Sequence, residues 1–464
     1  MRNSLSRQAL HALLPSIAIV ASLAGCAGQR PDPRAELDVA SALGLAEPIV
    51  FRVEAAPLDE PDDPGTSAGT LTRIEAVRLA AMTSPALQSA LARVRIAMAD
   101  SDQTRLLPNP VLSVLLRWGP GKPQIEVSLA QDIVQALQIP TRARAADNRL
   151  RSAAADAVTI ALNVVAEVQE RYATVQALES LVPLIAERRD LLGKLVGTSR
   201  ARLNAGEGTR NDVTTLESQR VELEVELADS QRALREERLR LATLIGRPSS
   251  SALWAVEPWS APTAAETDER IWLAIALKRR PEIQSALWKL AALGDDMELV
   301  RLLPWEGSTA GVDATRDDRW FAGPSVSSPI PVFDTGQARR SRVTAEQIVA
   351  RHELTLASRK VVEEVRVALQ SLHASAENLR RVREELLPLQ QTRRDQAEAS
   401  FRAGQTDVTP LLLAEQDLRL SRAKAIDLER LQSLSLTRLE RAIGGAGVAA
   451  DVQPVSQAAH RSTP

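Results

Sequence analysis

Aromatic side chains are scarce in this chain, and histidine, methionine and cysteine are scarcer still. Its 464 residues include one tyrosine, four phenylalanines and seven tryptophans, 3% in all. A length that would allow two or three ordinary domains therefore lacks the composition of a conventional globular enzyme. Four histidines, four methionines and one cysteine are too few soft ligands for a buried transition-metal site. Charge of one sign is missing too. The formal net charge is −2, so no basic field points to nucleic acid. No nucleophile-base-acid constellation emerges, and Gly206-Glu207-Gly208-Thr209 lacks the lysine and preceding strand of a phosphate loop. The chain thus reads as neither an enzyme nor a cofactor binder. Alanine, leucine, arginine, glutamate and glutamine dominate instead, the vocabulary of long helices and coiled coils.

The single cysteine sits at an informative place. Arg2 and Arg7 precede an apolar stretch from Ala9 to Ala24, which reads as a secretory signal too short to be a spanning helix. Leu23-Ala24-Gly25-Cys26 resembles a bacterial lipobox. That resemblance implies cleavage before Cys26, acylation of its thiol and new amine, and stable anchoring by several chains. Residues 1–25 are then a signal peptide and 26–70 a lipidated, extended segment rich in Pro, Asp and Glu. The tail from 445 to 464 reads as disordered.

The body is written twice. Aligned without a gap, Pro85 falls on Pro281, an offset of 196 residues. Gln88-Ser89-Ala90-Leu91 then falls on Gln284-Ser285-Ala286-Leu287, and Arg105-Leu106-Leu107-Pro108 on Arg301-Leu302-Leu303-Pro304. Ala205-Gly206 answers Ala403-Gly404, and both copies end in Ile-Gly, at Ile245-Gly246 and Ile443-Gly444. The repeats cover 71–248 and 268–444, with a linker at 249–267, and neither half stands as an independent active-site domain.

Within each repeat the order is helix, two short strands, a very long helix, a tight turn and another helix. The long helix from Arg142 to Asn204 would span about 90 Å at 1.5 Å per residue. Its counterpart runs from Gln337 to Ala403. Pro183 and Pro388 each predict a kink or local break. Leu178, Leu181, Ile185, Leu192 and Leu195 keep heptad spacing, as do Val213, Leu216, Leu223, Leu227, Leu234, Leu241 and Leu244. Such stripes demand helical partners. At the turns, glycine permits the left-handed closure of a helix, and Asp212 or Thr406 can cap the next one.

The strands lie within 110–133 and about 308–332. Leu112, Val114, Leu116 and Trp118 alternate with Val111, Ser113, Leu115 and Arg117, and Ile125, Val127 and Leu129 alternate with Gln124, Glu126, Ser128 and Ala130. One face is apolar and the other largely polar, as in a membrane barrel with a wet lumen. The second pair, near Ser308–Arg316 and Trp320–Pro331, is weaker. Trp118, Trp305, Trp320, Phe321 and Phe333 lie in or beside these strands, where an aromatic girdle would place them. A small β-cap on a soluble bundle is the other reading. Four strands cannot close a transmembrane barrel, which needs about eight or more, and an open edge cannot face lipid. If the strands span a membrane, several chains share one barrel.

Several passages together resemble the TolC family of outer-membrane efflux proteins, over roughly Leu71–Gly444. They are Arg280-Pro281-Glu282-Ile283 at a helix opening, Ile330-Pro331-Val332-Phe333-Asp334-Thr335-Gly336 at a strand-to-helix junction, and the turns at Arg202–Val213 and Arg402–Val408. Leu107-Pro108-Asn109-Pro110 resembles the branch serving heavy-metal pumps. The resemblance implies a mainly α fold with a small β part. Three identical chains would each give four strands to an outer-membrane barrel, above a periplasmic tunnel of coiled-coil helices. The protein would be the passive exit duct of a tripartite efflux system, meeting a periplasmic adaptor and an inner-membrane pump. The docking turns would carry Arg202, Gly206, Asp212, Val213, Arg402, Gly404 and Asp407. Many relatives have an aspartate six residues after the turn glycine. Asp212 keeps it, making Asp212 the candidate gate, whereas the second half has Pro410 there. A lipid-anchored periplasmic coiled-coil scaffold without a pore is the alternative.

Two clusters stay open. His352 and His373 lie three heptads apart on one helix, as metal ligands or as solvated polar residues. Arg142, Arg144, Arg339, Arg340 and Arg342 follow the strand pairs, facing a lumen, lipid headgroups or simply water.

Overall fold

The computed structural model describes residues 34–45, 48–54, 69–119, 123–259, 268–316, 319–403, 405–406 and 408–445. They form two compact units, and each draws on both sequence repeats. One comprises Ala90–Ala157 with Pro281–Ser358; the other comprises Glu36–Ser89, Val158–Arg280 and the chain from Arg359 onward.

The first unit carries a sheet of β2 (Val111–Arg117), β3 (Gln124–Asp132), β5 (Thr309–Arg316) and β6 (Trp320–Ser327). Its order is β2-β3-β5-β6, antiparallel throughout. The hairpin of each repeat therefore meets the other through β3 and β5, and β2 and β6 are the free edges. Register places Leu112 opposite Leu129 and Leu129 opposite Val312, then Val114 opposite Val127 and Val127 opposite Ala314. Because side chains alternate along a strand, these residues share one mainly apolar face with Leu116, Ile125 and Ala322, and Arg316 opposite Ile125 is its charged exception. Ser113, Ser128 and Asp313 share the opposite face with Glu126, which pairs with Arg117 at 3.5 Å. Gly311 permits close pairing, since a Cβ there would lie 2.2 Å from the Leu129 carbonyl oxygen. The second hairpin ends at Ser327, four residues short of the expected Pro331.

Helices α3 (Pro85–Thr104), α4 (Ile133–Asn204), α7 (Pro281–Leu302) and α8 (Gln337–Arg381) enter this unit. The long helix α4 starts nine residues earlier than Arg142. Asp132 both closes β3 and caps α4, its Oδ1 accepting the Gln135 amide at 2.8 Å, so strand passes into helix without a loop. Arg105 grips Asp147 through two 2.8 Å bonds, and Ser101 donates to the same carboxylate at 2.7 Å. Across α4 and α7, Arg144 pairs with Asp295 and Glu298, Arg149 pairs with Asp296, and Arg151 lies 4.6 Å over the Trp288 ring.

The second unit holds α1 (Ala35–Leu43), α2 (Arg73–Thr83), α5 (Arg210–Leu244), α6 (Glu269–Arg279), α9 (Leu387–Arg402) and α10 (Val408–Ile443), with parts of α4 and α8. Residues 35–43 are a helix where an extended segment was expected. Ala35, Val39, Ala40 and Leu43 recur at helical spacing and are buried, a signal diluted by the prolines and acids that follow. The heptad stripes do find partners. Ile185, Leu192 and Leu195 of α4 pack with Leu223 and Leu227 of α5 and Leu412 of α10. Pro183 lies inside α4, which stays helical through it. Pro388 instead follows a π-helical turn at Val382–Leu386, so the second long helix is divided. One wide turn relieves the clash that a proline ring makes with the preceding turn.

A two-stranded parallel ribbon, β1 (Thr70–Leu71) with β4 (Ala255–Val256), is stapled to α4. The fully buried Tyr172 hydroxyl donates to the Leu71 carbonyl at 2.7 Å and accepts the Glu257 amide at 3.1 Å. Burial pushes this phenol up to about 12, and the bond from the Glu257 amide acts against it.

Candidate functional site

The first helical turn is built by two local rules. Helix α4 closes on Gly206, whose φ of +81° suits a residue without Cβ. The Gly206 amide donates to Leu203 O and the Glu207 amide to Arg202 O, at 3.1 and 2.9 Å, which is a Schellman closure. Helix α5 then opens on Thr209, not on Asp212. Thr209 Oγ1 accepts the Asp212 amide at 3.2 Å, and Asp212 Oδ2 accepts the Thr209 amide at 3.1 Å. Sequence reading assigned the cap to Asp212, although Thr209-Arg210-Asn211-Asp212 follows the Thr-x-x-acid pattern of a capping box. Hydrogen bonding to Thr209, with the Arg202 charge nearby, holds the exposed Asp212 carboxyl below the usual carboxylate range. Val213 beside it is buried.

In the second turn, α9 ends with the Ala403 amide bound to Ala399 O and the Gln405 amide to Ser400 O, both at 3.0 Å. Arg402 is exposed and bonds to Glu398. Helix α10 opens at Val408 and carries Pro410 in its first turn, where no intrahelical donor is lost. Gly404 and Asp407 lie outside the described residues, as does Cys26 with the whole signal segment.

At the sheet, every residue of β2 is exposed. Trp118, Trp305, Trp320, Phe321 and Phe333 are all exposed as well. Where strands meet helices, the Ile133 amide donates to Ser308 O at 3.0 Å, Ser308 and Ser328 share a 2.7 Å hydroxyl bond, and Gln131 Nε2 donates to Pro108 O at 2.7 Å. Asp334 Oδ1 accepts the Gly336 amide at 2.8 Å, and Gly336 adopts φ +80°, setting the sharp entry into α8. Among the described residues no helix is long and apolar enough to cross a membrane, and no group of three His, Cys, Asp or Glu is placed to hold a metal.

Residues 272–445 match the family model described as outer membrane efflux protein. The cobalt-zinc-cadmium resistance protein CzcC of Cupriavidus metallidurans is 22% identical over 392 residues, 82% of this chain and 92% of that protein. Protein CyaE of Bordetella pertussis is 26% identical over 345 residues, 68% of this chain and 71% of that protein. The outer-membrane channel OprN has the same fold, with a TM-score of 0.67 at 18% identity over 87% of this chain and 99% of that one. The second half of the chain thus resembles outer membrane efflux proteins in sequence, and the whole chain shares the fold of an outer-membrane channel. Its mainly α fold with a minor sheet follows the expected class.

Proposed function

We propose that this protein is the passive exit duct of a tripartite efflux system, assembled as a homotrimer whose sheets join into one twelve-stranded outer-membrane barrel. One observation carries the reading. The sheet has one largely apolar face, broken by Gln131 and Arg316 near its ends, exposed aromatics and, among the described residues, two unpaired edges, β2 and β6. Unpaired edges present rows of free donors and acceptors that lipid cannot satisfy, whereas edges of neighbouring copies can. Exposed Val221, Val225, Leu356, Val367 and Leu389 on the helices likewise suit packing against further copies. The turns around Gly206 and Gly404, with Arg202, Asp212, Val213, Arg402 and Asp407, are the docking end for a periplasmic adaptor coupled to an inner-membrane pump. Asp212 is the candidate gate, three copies of it forming a carboxylate ring. Cys26 is the lipidated N-terminus of the mature chain, and the repeats run over 71–248 and 268–444. The Leu107–Pro110 entry and the similarity to a protein named for cobalt-zinc-cadmium resistance support the branch serving heavy-metal pumps.

The full-length protein reconstituted into outer-membrane vesicles should give a heat-resistant trimer with single-channel conductance. A monomer that binds vesicles only through its acyl chains, with no conductance, would establish the scaffold alternative. Photo-cross-linkers at Arg202 and Arg402 should capture an adaptor in cells with working efflux, and capture of none would remove the docking assignment.

A further inference from the structure

We propose that an arginine-lined cavity beside the strand-to-helix junctions is a binding site for a phosphate-bearing anion. The cavity, about 480 Å³, lies within the sheet-bearing unit between α4, α7 and α8. Arg142 and Arg149 reach it from α4, and Arg339 and Arg342 from α8. Two of these four are neutralised in place, Arg149 by Asp296 at 2.5 Å and Arg342 by Glu346 at 2.8 Å.

The other two are held more loosely. Arg142 makes one long bond, 3.4 Å from Nη2 to the Gln135 carbonyl, and its Nε is buried with no hydrogen-bond partner among the described residues. Arg339 pairs with Asp334 at 3.9 Å, an acid outside the cavity lining. One further carboxylate, Glu306, lines the cavity, so its lining carries four guanidinium groups against three carboxylates. A buried donor left unpaired is costly, and a guanidinium fork is shaped for phosphate oxygens.

The backbone adds to the same field. Helix α8 begins at Gln337, so Arg339 sits in its first turn. The partial positive charge of a helix N-terminus disfavours a cation there and favours an anion. Leu299, Val300, Leu303 and Val343 also line the cavity, so an amphiphile with a phosphate head fits as well as a soluble phosphate ester. Helix α4 follows β3 directly, with no residue between Asp132 and Ile133. If the strands lie in the outer membrane, as proposed above, the cavity is level with lipid headgroups. Only the lipid source rests on that reading; binding of the anion does not.

The test uses the full-length protein in detergent, with phosphatidylglycerol titrated by native mass spectrometry and inorganic phosphate as competitor. The double variant Arg142→Gln/Arg339→Gln should lose phosphatidylglycerol affinity by at least about tenfold, the worth of a charge-assisted hydrogen bond. The charge-matched Arg351→Gln/Arg359→Gln, at exposed positions of α8 outside the cavity, should bind like the wild type. Competition by inorganic phosphate identifies a soluble source; binding that phosphate does not displace identifies the lipid. Equal binding by the wild type and the cavity variant overturns the proposal. Circular dichroism checks folding. Should the double variant misfold, Arg142→Lys keeps the charge but not the fork; weakened binding then supports the site and undiminished binding overturns it. Conductance measured on the same samples tests the channel reading separately.

Discussion

Replacing Tyr172 by phenylalanine removes one oxygen and strands two backbone groups. The hydroxyl donates to the Leu71 carbonyl at 2.7 Å and accepts the Glu257 amide at 3.1 Å. Each buried polar group left without a partner costs about 1–3 kcal/mol. Leu71 is buried and Glu257 half-buried, so the variant should lose about 2–4 kcal/mol. The assay is denaturant unfolding of the purified protein at stepped pH. Burial raises the phenol from 10.0 to about 12, so the folded state holds this proton more tightly than the unfolded state. That contribution is complete below pH 10 and is lost as pH rises through about 12. Phenylalanine has no proton to lose, so the gap between wild type and variant should narrow across that window. Tyr172 is the sole tyrosine of the chain, so tyrosinate absorbance reports this one group. Equal midpoints at neutral pH, a gap that stays constant to pH 12, or a tyrosinate midpoint at the ordinary value would each refute the reasoning.

Three further outcomes are expected. Gly311→Ala puts a Cβ 2.2 Å from the Leu129 carbonyl oxygen, so β3 and β5 must separate; the heat-resistant oligomer should disappear on gels, and a normal oligomer would show that the strands can shift. Asp212→Asn keeps an acceptor for the Thr209 amide but removes the charge, so thermal stability should stay nearly constant while single-channel conductance changes its cation dependence. Conductance equal to wild type at every cation concentration would leave Asp212 a helix cap alone. Cys26→Ser should abolish lipoprotein processing and the acyl mass, and mass spectrometry of a wild-type chain carrying an unmodified mature Cys26 would remove the anchor.

Most of the fold was legible because its signals are local and repeated. Heptad leucines such as Leu223 and Leu227 announce a helical seam, and the alternation from Leu112 to Leu129 announces a hairpin with one apolar face. Glycines at the ends of long helices announce turns, and Gly206, Gly246 and Gly444 all take positive φ. What escaped notice depends on distance along the chain. Tyr172 is 101 residues from Leu71, and one tyrosine within a helix carries no pattern. Helix α1 was hidden by its acidic, proline-rich surroundings. The cavity arginines were visible as a cluster, but their neutralisation was not, because Asp296 lies 147 residues from Arg149. The cap at Thr209 is written in the Thr209–Asp212 spacing of a capping box, where Asp212 is the more conspicuous residue.

The two repeats reuse one backbone design and finish it with different chemistry. In each, a short helix stops before a proline, and the glycine closing the last helix of the same repeat abuts that stop. Gly246 packs on Thr83, where a Cβ would lie 2.5 Å from the threonine side chain, and Gly444 packs on the Arg279 carbonyl, 3.5 Å from a would-be Cβ. The residue before the proline then differs. Ser84, buried, accepts the Leu87 amide at 3.3 Å and needs nothing more distant. Arg280, 2% exposed, brings a full charge to the equivalent place. It is met by Glu364 at 2.7 Å and the Arg441 carbonyl at 3.1 Å, while Arg441 itself donates to Glu364 at 3.1 Å. An ion cluster with one fully buried member stabilises little over an apolar equivalent, yet is costly to break from one side. Its effect is to fix which helices meet, tying the end of α6 to the later part of α8 and to the end of α10. The serine version fixes only its own turn. The second repeat is therefore the more constrained at this level, and substitutions at Arg280, Glu364 and Arg441 are coupled to one another in a way that substitutions around Ser84 are not.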